Sequence, residues 1–194
     1  MRGVKREFRI LGVDDAPFHK TDSECSLVCT VFRGGEFLDG VISCVIEKDG
    51  LNATEKLSML VTGSSHHDQL QAIMLDGITF GGFNVVNIGL LSKNTALPVI
   101  AIIRRKPDLK SFRNAIRKLP HSRERLASVK AAGKITKCGG IFFQCAGMKP
   151  ELAREVIAVS TTHSKIPEPL RAAHLIAHGV ANMYLFSSST EVCG

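Results

Sequence analysis

Two long β-forming runs joined by a four-residue glycine turn constrain this chain more than any other feature. Residues 26–32 and 37–46 are rich in Val, Ile and Phe, and Arg33-Gly34-Gly35-Glu36 lies between them. That pattern is a hairpin signal, because glycine supplies the left-handed backbone that a tight reversal needs. Residues 8–13 read as a further buried strand ending in Asp14-Asp15, and the three runs together predict an antiparallel meander. After Asp49-Gly50 the period changes. Asn52 stands where it can cap a helix, with Glu55 as its capping-box partner and Leu57, Leu60 and Val61 as the buried face. Strand-like runs at 71–75, 98–103, 134–138 and 141–144 then alternate with helical patterns at 84–92, 108–119, 122–131, 150–160 and 170–184. A meander followed by such alternation predicts an α/β fold, a mixed central sheet flanked by helices.

The 194 residues suit one domain, expected over 1–186 with a frayed tail at 187–194. No apolar run approaches the length of a membrane span. The N-terminus lacks the h-region of a signal peptide, which predicts a cytoplasmic protein. None of the six cysteines forms a C-x-x-C pair. Cys44, Cys138 and Cys145 sit in or beside apolar runs and read as small core residues, with redox or zinc roles as the alternative.

The net charge of +7 is unevenly spread. Residues 104–137 hold twelve Lys/Arg against two acids, a local excess that reads as a footprint for a polyanion. Nucleic acid is the expected partner, with Arg104, Arg105, Lys106, Arg113, Arg117 and, further on, Arg171 as its contacts. A solvated helix face is the alternative.

Asp14 and Asp76 each close an apolar strand, in Gly12-Val13-Asp14 and Leu75-Asp76-Gly77. If those strands are neighbours the carboxylates meet, and two such charges need a proton or a cation between them. Hard oxygen ligands favour Mg²⁺ or Mn²⁺ over zinc. The alternative is that each caps a turn. Asp15 points to the other face of an extended strand and reads as a turn residue or a supporting acceptor. His66-His67-Asp68 reads as a polar loop. His174 and His178 share a helix face, and Asn84 and Asn87 after Gly81-Gly82 could open a helix onto a phosphate. Arg171 could hold Glu168 or a phosphate.

Three blocks give a resemblance: Gly12-Val13-Asp14, Leu75-Asp76-Gly77 and Pro167-Glu168-Pro169-Leu170-Arg171-Ala172-Ala173-His174. Their order resembles that of endonuclease V. Over nearly the whole chain, including Thr79-Phe80-Gly81-Gly82-Phe83-Asn84, the sequence resembles a mainly archaeal family designated domain of unknown function 99 (UPF0215), a relative of endonuclease V. The resemblance implies a ribonuclease H-like fold and metal-assisted hydrolysis of a DNA or RNA backbone. Asp14, Asp76 and His174 then match its metal-binding positions. The Arg-Glu pair of endonuclease V is absent, with Glu55 the nearest substitute and Asp49 second. The aromatic-proline wedge is absent too, and the sole tyrosine, Tyr184, lies far from its place. These departures keep two other readings open: a nucleic-acid binding module that kept the fold and lost catalysis, and an enzyme on another phosphorylated substrate.

Overall fold

The computed structural model describes residues 4–189, the side chains of 182–189 excepted. Its first three strands are the expected meander: β1 (Arg9–Asp15), β2 (Glu24–Arg33) and β3 (Phe37–Glu47), paired antiparallel in sequence order. Gly34 in the turn adopts φ 57°. The chain continues through α1 (Ala53–Thr62), β4 (Ala72–Asp76), the short β5 (Thr79–Phe80) and β6 (Asn84–Val85), α2 (Ile88–Thr95) and β7 (Val99–Ile103). It ends with α3 (Leu109–Arg117), α4 (Ser122–Ala131), β8 (Thr136–Cys138), β9 (Ile141–Ala146), α5 (Pro150–Ser160) and α6 (Glu168–Ser189).

Seven strands form one mixed sheet in the order β3-β2-β1-β4-β7-β9-β8. β1, β4 and β7 run parallel in its centre. They are buried on both faces, which is why their sequences are continuous apolar runs rather than alternating ones. Leu11, Val13, Ile73, Leu75, Val99 and Ala101 face α1 and α2. Ile10, Met74, Ile100 and Ile102 face α5 and the start of α6. Farther along α6, Ala177 packs beside Val28 of β2.

The seat of α6 depends on Gly12. A Cβ there would stand 2.4 Å from the carbonyl carbon of Pro169, so only a glycine lets the first turn of α6 lie directly on β1. Thr30 Oγ1 donates to Pro169 O across 2.7 Å. Glu168, 3% exposed, accepts from Arg171 Nε at 2.7 Å and from His163 N at 3.2 Å. Of the two partners open to Arg171, the structure therefore shows Glu168.

Several local expectations are corrected. Asn52 does not cap α1 with its side chain, and Glu55 is exposed, so there is no capping box. Instead Asn52 Oδ1 accepts from Glu47 N and Asn84 Nδ2, and Asn84 Oδ1 accepts from Ala53 N at 3.0 Å. The cap comes from 31 residues downstream. The helix expected from Asn84 starts at Ile88, because Gly81 (φ 51°) and Gly82 (φ 87°) turn the chain into the β5–β6 hairpin. Asn87 is spent capping α2 through Leu90 N, so no phosphate seat forms at Asn84 and Asn87. His67 and Asp68 lie in a 3-10 turn, with His67 Nε2 2.9 Å from Thr95 O.

Cys25 and Cys29 are buried, while Cys44, Cys138 and Cys145 are half-buried at the core margins. α6 extends into the tail expected to fray, whose last residues, 190–194, lie outside the described residues, as does the side chain of Tyr184. No helix among the described residues is long and apolar enough to cross a membrane.

Gly12→Ala is expected to destabilise the fold by about 2 kcal/mol through overpacking against Pro169, lowering Tm by roughly 4–8 °C. Gly179→Ala, within α6 with nothing within 4 Å of its added Cβ, is expected to raise Tm, since alanine gains about 1 kcal/mol over glycine inside a helix. Calorimetry of the two variants beside wild type checks both signs.

Candidate active site

β1 and β4 pair in register from Ile10 with Ala72 to Val13 with Leu75. The next residues, Asp14 and Asp76, therefore end the two strands side by side. Strand parity sets their direction: Asp14 shares the face of Ile10 and Gly12, and Asp76 that of Met74, so both look toward α6. On α6, Leu170, Ala173 and Ala177 are buried at helical spacing, which turns His174 to the same side. Its Nδ1 lies 2.9 Å from Asp14 Oδ2, with the ring nitrogen as donor and the carboxylate as acceptor. His178, one turn on, holds its ring centroid 4.3 Å from that of His174. Asp14, Asp15, Asp76, Arg104, His174 and His178 line one open cavity of about 440 Å³. Three side chains far apart in the chain are thus brought together.

Asp14 is only 5% exposed. Burial, and next the neighbouring charge of Asp76, push its carboxyl up to about 6, against the pull of the Asp15 N–H and of His174. Asp15 is also raised, chiefly by burial, although Gly81 N donates to its Oδ2 at 2.7 Å. Being the last residue of β1, it escapes strand alternation enough to line the cavity while anchoring the Gly81 turn, which is the supporting-acceptor role open to it from the sequence. Asp76 is held by Arg104, whose guanidinium forks onto both carboxylate oxygens, with Nε at 3.2 Å. Arg104 follows β7, the strand beside β4, and that adjacency was the available signal for the pairing. Among the described residues no three His, Cys, Asp or Glu side chains stand ready-made around a metal.

Glu55 is not part of this cavity. It lines a groove between α1, α2 and α4, on the sheet face opposite α6. Asp49 is elsewhere too, its Oδ1 accepting from Phe83 N at 2.8 Å. In the basic segment, Arg105, Lys106, Arg113 and Arg117 are exposed. Arg125 is 3% exposed and donates to the carbonyls of Asp49, Gly50, Phe83 and Pro120, so it ties loops together and is no part of an electrostatic footprint.

A family model described as Endonuclease dU matches residues 6–181. A UPF0215 protein of Methanothermobacter thermautotrophicus is 48% identical over 92% of this chain and 90% of its own length. Another, from Methanopyrus kandleri, is 41% identical over 93% and 94%. The crystal structure of an Archaeoglobus fulgidus protein of unknown function superposes with a TM-score of 0.85 at 38% identity, covering 89% of this chain and 98% of that one. The catalytic domain of human endonuclease V superposes with a TM-score of 0.59 at 14% identity, over 92% and 84%. Endonuclease V of Ciona intestinalis, solved with DNA containing an inosine, gives 0.60 at 13%, over 91% and 87%. These last two likenesses establish the ribonuclease H-like fold. The chain belongs to the endonuclease dU family, together with the UPF0215 proteins that it matches, and it shares its fold with endonuclease V.

Proposed function

We propose that this protein is a divalent-metal-dependent endonuclease that cuts DNA at deoxyuridine. The observation that carries the reading is the pair Asp14 and Asp76, two carboxylates at adjacent strand ends, with the Asp14 carboxyl pushed up to about 6 by its burial and next by the charge of Asp76. Such a pair suits a hard cation. The description of the matching family supplies the base, and the Ciona relative, crystallised with inosine-containing DNA, gives a second deaminated base to try.

In this reading Asp14, Asp76 and His174 would hold Mg²⁺ or Mn²⁺, and His174 steadies Asp14 through Nδ1. The bound ion supplies the charge that lowers the pKa of an attacking water and stabilises the leaving oxygen of a phosphodiester. Arg104, now on Asp76, would be placed to bind a phosphate oxygen once the cation took that carboxylate, as a guanidinium does well. Arg105, Lys106, Arg113 and Arg117 continue that positive surface along α3, and nucleic acid is the partner it suits. One feature favours the alternative of a binding module without catalysis: Arg104 already neutralises Asp76, as a residue replacing a lost metal would.

Incubating end-labelled DNA carrying one deoxyuridine with the protein separates the two readings. Incision that needs Mg²⁺ or Mn²⁺, and that falls at least roughly a hundredfold in Asp14→Ala or Asp76→Ala, is the expected result. Absence of incision on deoxyuridine, inosine and branched substrates at excess protein, with salt-dependent binding retained, would leave the binding module.

A second expectation concerns stability. Asp14 has a higher pKa folded than the unfolded value near 3.9, so the folded state binds the extra proton. This carboxyl adds no penalty below about pH 4 and destabilises the metal-free fold as pH climbs through about 6. Metal-free Asp14→Asn is therefore expected to melt above wild type at pH 7.5, with the difference vanishing near pH 4. Mn²⁺ is expected to raise the Tm of wild type and not of the variant.

A further inference from the structure

We infer that two copies of this chain pair through the free edge of β3, antiparallel about a two-fold axis at Ser43, so that the seven-stranded sheet continues into a second molecule. The inference goes beyond the proposed endonuclease reading and does not depend on it.

The sheet ends in β3 on one side and β8 on the other, and the two edges differ in kind. β8 is three residues long, Thr136–Cys138, with exposed lysines at 134 and 137. The Arg154 guanidinium donates to Lys137 O at 2.6 Å. A short strand, lysines and a covering side chain are the ordinary devices that keep an edge from recruiting another strand. β3 is eleven residues long, Phe37–Glu47. From Gly40 to Ile46 it reads Gly-Val-Ile-Ser-Cys-Val-Ile, with no charge and no proline. Among the described residues no side chain hydrogen-bonds to the backbone of that stretch. An open edge of this composition pairs with another strand unless something covers it.

The exposed face of β3 points the same way. Val41, Ser43 and Val45 stand opposite Thr30, Val28 and Ser26 of β2, and side chains opposite each other share a face. On β2 that face lies under α6, with Val28 beside Ala177. β3 lies beyond the helix, and its Val41 and Val45 are 46% and 44% exposed. Apolar side chains and unpaired backbone groups are therefore open together along one strand.

The sequence of the strand selects a second copy as the occupant. A two-fold contact must be self-complementary, and Ser43 is the centre of the uncharged stretch. Pairing about it sets Val41 against the second copy's Val45, Ile42 against its Cys44, and Ser43 against Ser43, where one hydroxyl can donate to the other. Moving the axis by one residue removes the match. About Ile42, Val41 meets Ser43 and Val45 meets Asp39; about Cys44, Val45 meets Ser43 and Val41 meets Glu47. The ends of the stretch are marked as well. Val31 pairs with Gly40 and Phe32 with Leu38, so Asp39 is the extra residue of a bulge, a feature that ends regular pairing. Asp39 turns to Arg33, whose Nε donates to its Oδ2 at 2.8 Å. Arg33 pairs with Arg9, two residues before Leu11 and so on the α1 face, whereas Glu47 is in phase with Val45 on the α6 face. The two acids that the register brings level thus lie on opposite sides of the sheet.

The test is sedimentation equilibrium of the full chain at micromolar concentration, with circular dichroism to check that each variant folds. Wild type is expected to sediment as a dimer. Ser43→Lys sets two ammonium groups against each other at the axis and is expected to weaken the dimer at least about a hundredfold. Two double variants read the register. Val41→Lys with Val45→Lys sets lysine against lysine in both flanking pairs and is expected to give monomer. Val41→Lys with Val45→Glu sets lysine against glutamate and is expected to remain a dimer. Within one chain the two positions are four strand residues, about 13 Å, apart, so the glutamate can compensate only across the contact. A wild type that stays monomeric overturns the inference. So does a dimer that Ser43→Lys leaves as tight as before, or a Lys/Glu variant as dissociated as the Lys/Lys one. Should Ser43→Lys fail to fold, the comparison of the two double variants decides alone.

Discussion

Two acidic side chains, Asp14 and Asp76, are held beside each other at the tips of parallel strands, and much of what surrounds them compensates for that placement. The strands are apolar on both faces because helices cover both, so their carboxylates emerge into a poorly solvated corner. Burial, and next the charge of Asp76, raise the proton affinity of Asp14. The protein answers with a guanidinium on Asp76, an imidazole on Asp14 and a backbone N–H from Asp15 on Asp14. A fold selected for stability alone has no reason to build such a corner, and perturbed carboxyls in a cavity are a recurring mark of functional sites.

The imidazole reaches this corner because α6 is seated by contacts remote from it. Gly12 admits Pro169 against the strand backbone, Thr30 pins the Pro169 carbonyl, and the buried Glu168 is tied to Arg171 and to the loop before the helix. From that anchor the helical repeat carries Leu170, Ala173 and Ala177 into the core and places His174 over Asp14. The Pro-Glu-Pro-Leu-Arg segment thus earns its regularity as a mounting, and its distance from the carboxylates, one turn of helix, is what makes the mounting rigid.

The parts legible in the sequence were those set by local pattern. Continuous apolar runs marked β1, β4 and β7, the glycine turn marked the β2–β3 hairpin, and each carboxylate at a run's end marked where the strand stops. The parts that escaped depend on partners far along the chain. Asn52 looks like a cap, yet Asn84 performs that task from another loop. Arg125 looks like one more surface cation and is buried among four carbonyls. Glu55 was the nearest acid to fill the absent Arg-Glu position, but α1 packs on the sheet face opposite α6, and no register shift of that helix could bring it around the sheet. Asp15, read as a turn residue or a supporting acceptor, is that acceptor for Gly81 N and also enters the cavity, because alternation ends where the strand does.

Arg104 links these observations to the proposed chemistry. A guanidinium does not lose its charge at any physiological pH, so it cannot vacate Asp76 by deprotonation; it must exchange partners. A cation taking Asp76 leaves Arg104 without its carboxylate, and the nearest compensation is an anion arriving at the same corner. A phosphodiester is such an anion. Under the proposed reading, metal uptake and nucleic-acid binding therefore favour each other, and by linkage the coupling is the same whichever arrives first. On that reading the metal-free protein would rest with its carboxylates partly neutralised by its own side chains, and the complete cation site would be assembled when the strand to be cut is present.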